Sequence, residues 1–120
     1  MSPDDLRAAC LGLRGAAEDF PFPRYPDRSA FKVGGKVFAI SSLRQQPLQV
    51  SLKCDPDLAV RLRAEHAAIR PGYRLSKRHW NTVSLDGSLP EALVRSMLED
   101  SYDLVLASLS RALRAAVGRP

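Results

Sequence analysis

Long apolar runs are missing from this 120-residue sequence. No stretch approaches the roughly 20 consecutive apolar residues that a membrane-spanning helix requires, so no membrane partner is expected. Cysteine is scarce: Cys10 and Cys54 stand alone, without CxxC spacing or a neighbouring histidine. That usage argues against a disulfide scaffold and for two buried free thiols in a reducing compartment. The two histidines, His66 and His79, lack metal-ligand spacing and have no paired acids beside them, so no metal site is expected. The phosphate-cradling GxxxxGK[ST] loop, the dinucleotide GxGxxG turn and the GxSxG nucleophile elbow are all absent. Cys54 with His79 has no local support as a nucleophile and base. The expectation is a protein that is not an enzyme and carries no cofactor.

Carboxylates are scarce in two stretches in the middle of the chain. Eighteen basic residues against thirteen acidic ones give a net charge of +5. Between Phe20 and Cys54 the basic residues are Arg24, Arg28, Lys32, Lys36, Arg44 and Lys53, and the lone acid is Asp27. From His66 to Leu85 there is no carboxylate, while Arg70, Arg74, Lys77 and Arg78 fall there. Acids gather towards the two ends, at Asp4, Asp5, Glu91, Glu99, Asp100 and Asp103. A positive centre of this kind favours nucleic acid, acidic partners or phosphate ligands.

What is present is ordinary globular composition, 45% apolar and 26% charged, which excludes disorder and suits one domain over residues 1–120. The acidic start Met1-Ser2-Pro3-Asp4-Asp5 has no signal-peptide character, and a cytoplasmic location is expected. The same residues read as a helix start: a hydroxyl cap, a first-position proline, then acids at the positive end of the dipole. Leu6, Ala9, Cys10 and Leu13 make its apolar stripe, and Gly15 is expected to end it. Phe20-Pro21-Phe22-Pro23 cannot continue a helix and is expected to be a packed loop.

Residues 30–41 read as a β-hairpin about Gly34-Gly35, with Phe31, Val33, Phe38 and Ile40 on the buried face and Lys32 pointing away. Residues 48–53 alternate with Leu48, Val50 and Leu52 inward. Asp55-Pro56 opens a second helix running to about His66, with Leu58, Ala59 and Leu62 as its stripe. Residues 70–80 have no clear period and read as a loop or short extended segment. Residues 82–86 read as a strand closed by Asp86-Gly87. Ser88 and Glu91 fit a capping box for one last long helix carrying Leu93 through Leu113, and the tail from Gly118 is expected to fray. The order is helix, three strands, helix, strand, helix: an α+β domain with helices on one face of an antiparallel sheet. Lys32, Gln49, Ser51, Lys53, Thr82 and Ser84 would project from the open face.

Among candidate site residues, the densest stretch runs Arg70-Pro71-Gly72-Tyr73-Arg74-Leu75-Ser76-Lys77-Arg78-His79-Trp80-Asn81. Its cations suit phosphate, and an exposed Tyr73 or Trp80 can stack on a base. The plainer reading puts Tyr73 and Trp80 in the core and leaves the cations as a solvated rim. Lys53, at a strand end and before a capped helix, suits an anion or is an idle polar-face lysine.

Taken together, several segments resemble the MmcQ/YjbR family: Glu18-Asp19-Phe20-Pro21-Phe22, Phe31-Lys32-Val33-Gly34-Gly35-Lys36-Val37-Phe38-Ala39, Ser51-Leu52-Lys53-Cys54-Asp55-Pro56, Pro71-Gly72-Tyr73, Lys77-Arg78-His79-Trp80-Asn81-Thr82-Val83, Leu85-Asp86-Gly87 and Ser101-Tyr102. The resemblance covers almost the whole chain. It implies a frataxin-like (CyaY-like) topology, also called a double wing, and a DNA-binding role in the bacterial cytoplasm. By motif, the positions it singles out are Lys36, Lys53, Tyr73, Lys77, His79, Trp80 and Asn81. Two readings follow. In the first, Lys36, Lys53, Arg70, Arg74, Lys77 and Arg78 neutralise DNA phosphates, with Tyr73, His79, Trp80 and Asn81 shaping the contact. In the second, a pocket near Lys53, Tyr73, Trp80 and Asn81 takes an anionic metabolite or a protein partner. Monomer and homodimer are both open.

Overall fold

The N-terminal helix forms because its first turn is closed from both sides. In the computed structural model, which describes residues 1–118, the Ser2 hydroxyl accepts from the Asp5 amide at 3.1 Å and the Asp5 carboxylate accepts from the Ser2 amide at 2.9 Å. Those bonds draw the Asp5 pKa below the ordinary aspartate value. Helix α1 spans Pro3–Leu11. It ends at the Gly12 cap, before the expected Gly15, and buries Leu6 and Cys10 completely.

Six strands follow: β1 (Ala17–Asp19), β2 (Arg28–Val33), β3 (Lys36–Ser42), β4 (Gln49–Lys53), β5 (Ile69–Pro71) and β6 (Trp80–Ser84). All pairings are antiparallel, and the strand order across the sheet is β1-β2-β3-β4-β6-β5. The fold class is α+β, as expected, but β1 and β5 add two strands to the expected order. Each is three residues long, too short for alternation to reveal. Helix α2 (Pro56–Glu65) starts at the Asp55 cap and ends at His66.

The capping box expected at Ser88 and Glu91 does not form. Asp86 instead accepts from both the amide and the hydroxyl of Ser88, at 3.0 and 2.6 Å. Helix α3 (Glu91–Ser108) begins after Pro90 with no side-chain cap. The expected single last helix is broken: Leu109 is extended and buried, and α4 (Arg111–Gly118) starts anew behind Ser110, whose hydroxyl accepts from the Leu113 amide. The rest of the tail, where fraying was expected, lies outside the described residues.

Phe31, Phe38, Val50, Leu52 and Val83 from the sheet join Leu6, Ala59, Leu62, Leu98 and Val105 from the helices in one buried cluster, so α1, α2 and α3 cover the same face. One departure from the expected hairpin sets which residues reach the open face of the sheet. Val33 pairs with Lys36, but the register shifts between Phe31 and Lys32, so that Phe31 faces Ala39 and Ile40 faces Ala30. A β-bulge re-aims the side chains beyond it. Here it returns Phe38 and Ala39 to the core and turns Ile40 onto the open face, correcting its expected burial. The fully buried Ser101 of α3 completes the bulge's backbone: its hydroxyl accepts from the Lys53 amide at 2.8 Å and donates to the Phe38 carbonyl at 2.6 Å.

Both cysteines are free and buried. Burial, with the Glu18 charge adding to it, pushes the Cys10 thiol up to about 12, and burial also raises Cys54.

The hairpin tip is closed by Leu109. At Gly34, φ is +59° and an added Cβ would lie 2.5 Å from a Leu109 methyl, whereas at Gly35 (φ +81°) it would meet nothing within 4 Å. Gly34→Ala is therefore expected to cost about 1–3 kcal/mol, adding overpacking to backbone strain, and more than Gly35→Ala. Urea unfolding of the two variants checks this; equal losses would contradict the role given to Leu109.

Candidate functional site

Because cross-strand partners share a face, the pairings define the open side of the sheet. Ala30, Ile40, Ser51, Thr82 and Arg70 form one continuous row from β2 to β5. A second row holds Arg28 with Ser42, and Gln49 with Ser84. Over these rows lies a trough of about 590 Å³. Ile40, Gln49, Ser51 and Thr82 line its floor, Phe22, Tyr25 and Arg28 one wall, and Arg70, Pro71, Tyr73, Arg74 and Leu75 the other.

Each wall is held by identifiable contacts. The Arg28 guanidinium lies 4.1 Å from the Tyr25 ring centroid and 5.7 Å from that of Phe22, and its Nε donates to Ser42 Oγ at 3.3 Å. On the far side, the Thr82 hydroxyl accepts from the Tyr73 amide at 3.0 Å and shares a 2.9 Å bond with Ser51 Oγ. Gly72 packs so closely on Trp80 that an added Cβ would sit 2.7 Å from the Trp80 Cβ. Arg74 adopts a left-handed backbone, φ +57°, and its guanidinium lies 5.3 Å from the Tyr73 ring centroid. The Tyr73 hydroxyl, first by hydrogen bonding and then by charge, with Tyr25 adding to it, holds Arg74 still more firmly in its cationic form.

The lining contains three arginines and, among the described residues, no carboxylate. Two nearby acids are already paired: Asp19 with Lys32 at 2.8 Å, and Asp27 with Arg44 at 3.7 Å. A guanidinium held by an aromatic face and a hydroxyl keeps its charge available, and its planar fork suits an oxyanion. Arg28 and Arg70 stand on strands four positions apart, about 19 Å at the usual interstrand spacing. The concavity, its volume and its mixture of rings and polar groups fit a ligand site better than a flat contact surface.

The sequence candidates separate on this frame. Arg70, Tyr73 and Arg74 line the trough. Tyr73 is 63% exposed, which sets aside the core reading for it. Lys53 and Trp80 pair across β4 and β6 on the open side but are not among the trough's lining residues. Trp80 is half-buried rather than a core residue, because Asn81 and Val83 take the helix-facing positions of β6. Lys77 turns its ammonium to the Gly72 carbonyl at 3.2 Å, and Arg78 and His79 are exposed. Lys36 lies at the opposite end of the hairpin, its ammonium 3.4 Å from the Ser108 carbonyl.

Asn81 is 2% exposed beneath the sheet, beside Leu52, Cys54 and Met97, and neither polar atom of its amide has a hydrogen-bond partner among the described residues. It does not reach the open face. The pocket expected near Lys53, Tyr73, Trp80 and Asn81 therefore divides between the two sides of the sheet.

Phe22, Tyr25, Arg28 and Ile40 were not among the sequence candidates for the site. The loop before β2, expected to pack, leaves Phe20 55% exposed and turns Phe22 and Tyr25 to the trough. Exposed aromatics alternating with prolines beside Arg24 and Arg28 were the available signal.

A family model for YjbR matches residues 11–104. The chain belongs to the YjbR family. It is 42% identical to YjbR of Escherichia coli K12 over 104 residues, 85% of each chain, and 28% identical to YyaQ of Bacillus subtilis over 102 residues, 75% of this chain and 86% of that one. A crystal structure of a Deinococcus radiodurans protein is similar over 99% of this chain and 89% of that one, at 40% identity and a TM-score of 0.91. A Pseudomonas syringae protein aligns over 88% of this chain and 99% of its own, at 26% identity and a TM-score of 0.76. The fold is thus one that this chain shares with proteins of several bacteria.

Gly72 sets the height of the Tyr73–Arg74 wall above Trp80. Gly72→Ala is expected to cost about 1–3 kcal/mol through the forced shift and to change the Trp80 fluorescence, since the clash is with that residue. Urea unfolding followed by emission tests both; an unaltered spectrum and midpoint would contradict the close packing.

Proposed function

We propose that this protein is a non-enzymatic binding module of the bacterial cytoplasm, and that its ligand is an anion seated in the trough on the open sheet face. The observation that carries the reading is the convergence of Arg28, Arg70 and Arg74 on one concavity with no lining carboxylate among the described residues. Arg28 stands some forty positions before Arg70 and Arg74, so its meeting with them is a product of folding and not of local composition. The volume lies within the roughly 300–1,000 Å³ usual for small-molecule sites. The two buried free thiols support a reducing compartment, and no helix among the described residues is long and apolar enough to cross a membrane.

A second reading, DNA binding, is favoured by one further observation. Arg78 and His79 stand exposed in the segment that also carries Tyr73 and Arg74, though neither lines the trough. A strand of nucleic acid entering the trough would find additional phosphate contacts there.

Titrations of a mononucleotide and of a labelled DNA duplex, each at low and at physiological salt, decide between them. Under the first reading the mononucleotide binds, and Arg28→Gln and Arg70→Gln each weaken it roughly tenfold or more, as for loss of a charge-assisted bond. Lys36→Gln leaves it unchanged. Under the second, the duplex binds with a logarithmic salt slope of about −0.9 per neutralised phosphate, and Arg78→Gln lowers that slope. Indifference of both ligands to all three arginine substitutions would remove the trough from the function.

A further inference from the structure

The two walls of the trough carry an alternation of rings and cations. Phe22 and Tyr25 flank the Arg28 guanidinium, at 5.7 and 4.1 Å from their centroids, and Tyr73 carries Arg74 at 5.3 Å. Tyr25 and Arg74 line the same trough from its two walls, so the series faces itself across the floor. Its last member, Tyr73, is 63% exposed and pinned through its amide to Thr82, which is bonded in turn to Ser51. A large ring on an anchored backbone, left open to solvent, offers a stacking platform. Arg28 and Arg74 lie against rings and in no salt bridge among the described residues, so an oxyanion arriving between them displaces no carboxylate.

Resting on the reading that the trough binds an anion, we propose that it recognises a nucleoside phosphate: the phosphate lies between Arg28 and Arg74, and the base stacks at the Tyr73 end of the series. The hydroxyls of Ser51 and Thr82 on the floor face the connecting sugar. This goes further than charge alone, because it requires a flat ring and a phosphate in the same molecule.

The test uses four probes on the full chain, followed by calorimetry: inorganic phosphate, adenosine, adenosine 5′-monophosphate and a short single strand of deoxyadenylate. The monophosphate is expected to bind at least roughly tenfold more tightly than either phosphate or adenosine. The single strand tells whether the same unit is taken free or within a chain. Tyr73→Ala should weaken the monophosphate by a similar factor and phosphate, through the loosened Arg74, by clearly less, whereas Arg74→Gly should weaken both alike. Arg74→Gly is chosen because glycine tolerates φ +57°, so the fold is kept. Phosphate binding as tightly as the monophosphate would overturn the base subsite while the anion reading stood. Adenosine binding as tightly as the monophosphate would overturn the phosphate subsite. Failure of every probe would overturn both readings together.

Discussion

Strand alternation under a one-sided core is the constraint on which the rest of this molecule depends. Helices α1 to α3 bury Phe31, Leu52 and Val83 on one side of the sheet, and the period of two then leaves Ile40, Ser51, Thr82 and Arg70 no choice but the other. A slip of β6 by one residue against β4 would exchange Val83 with Thr82. It would expose an apolar side chain at about 1.5–3 kcal/mol and bury a hydroxyl in its place. The trough floor is thus fixed by the energetics of the opposite face. Ser101 adds to this by satisfying the backbone where the bulge interrupts the ladder.

The walls are fixed differently. Beyond Arg28 on β2 and Arg70 and Pro71 on β5 they are loops, and their order comes from contacts that keep cations unneutralised: Arg28 on Tyr25 and Ser42, Arg74 on Tyr73, and the Tyr73 amide on Thr82. Each exposed cation–ring contact contributes only about 0.5–1 kcal/mol, which is little for stability. Its value lies in holding charge and ring in register before a ligand arrives. Carboxylates would hold the arginines more strongly and cancel the field that makes them useful.

Much of this was legible from the residues. The hairpin, β4, the Asp55-Pro56 helix start and the outward residues of β4 and β6 all follow from alternation and capping chemistry, whereas Ile40 does not. The bulge was not, because Phe38 and Ala39 are both apolar and either register satisfies the pattern. Strands β1 and β5 are too short to show a period. The break at Leu109 depends on a pocket above Gly34 that exists only after folding. Within the site, Arg70, Tyr73 and Arg74 could be singled out because the segment around them has no acids. The opposing wall could not, since Phe22, Tyr25 and Arg28 gain meaning only from facing residues some fifty positions away. Local composition also grouped residues that folding separates: Asn81 points under the sheet while its neighbour Thr82 points above it.

The claim at the centre of this account is that the open face of the sheet, and not the hairpin tip or the helix layer, is where the protein meets its ligand. Side-chain Nε–H resonances of the arginines, followed by NMR during titration with adenosine 5′-monophosphate, address it directly. The account predicts saturable shifts at Arg28, Arg70 and Arg74, accompanied by the amides of Ser51, Tyr73 and Thr82. Shifts confined to Arg95, Arg111 or the amides around Lys36, with the trough arginines unmoved, would contradict it.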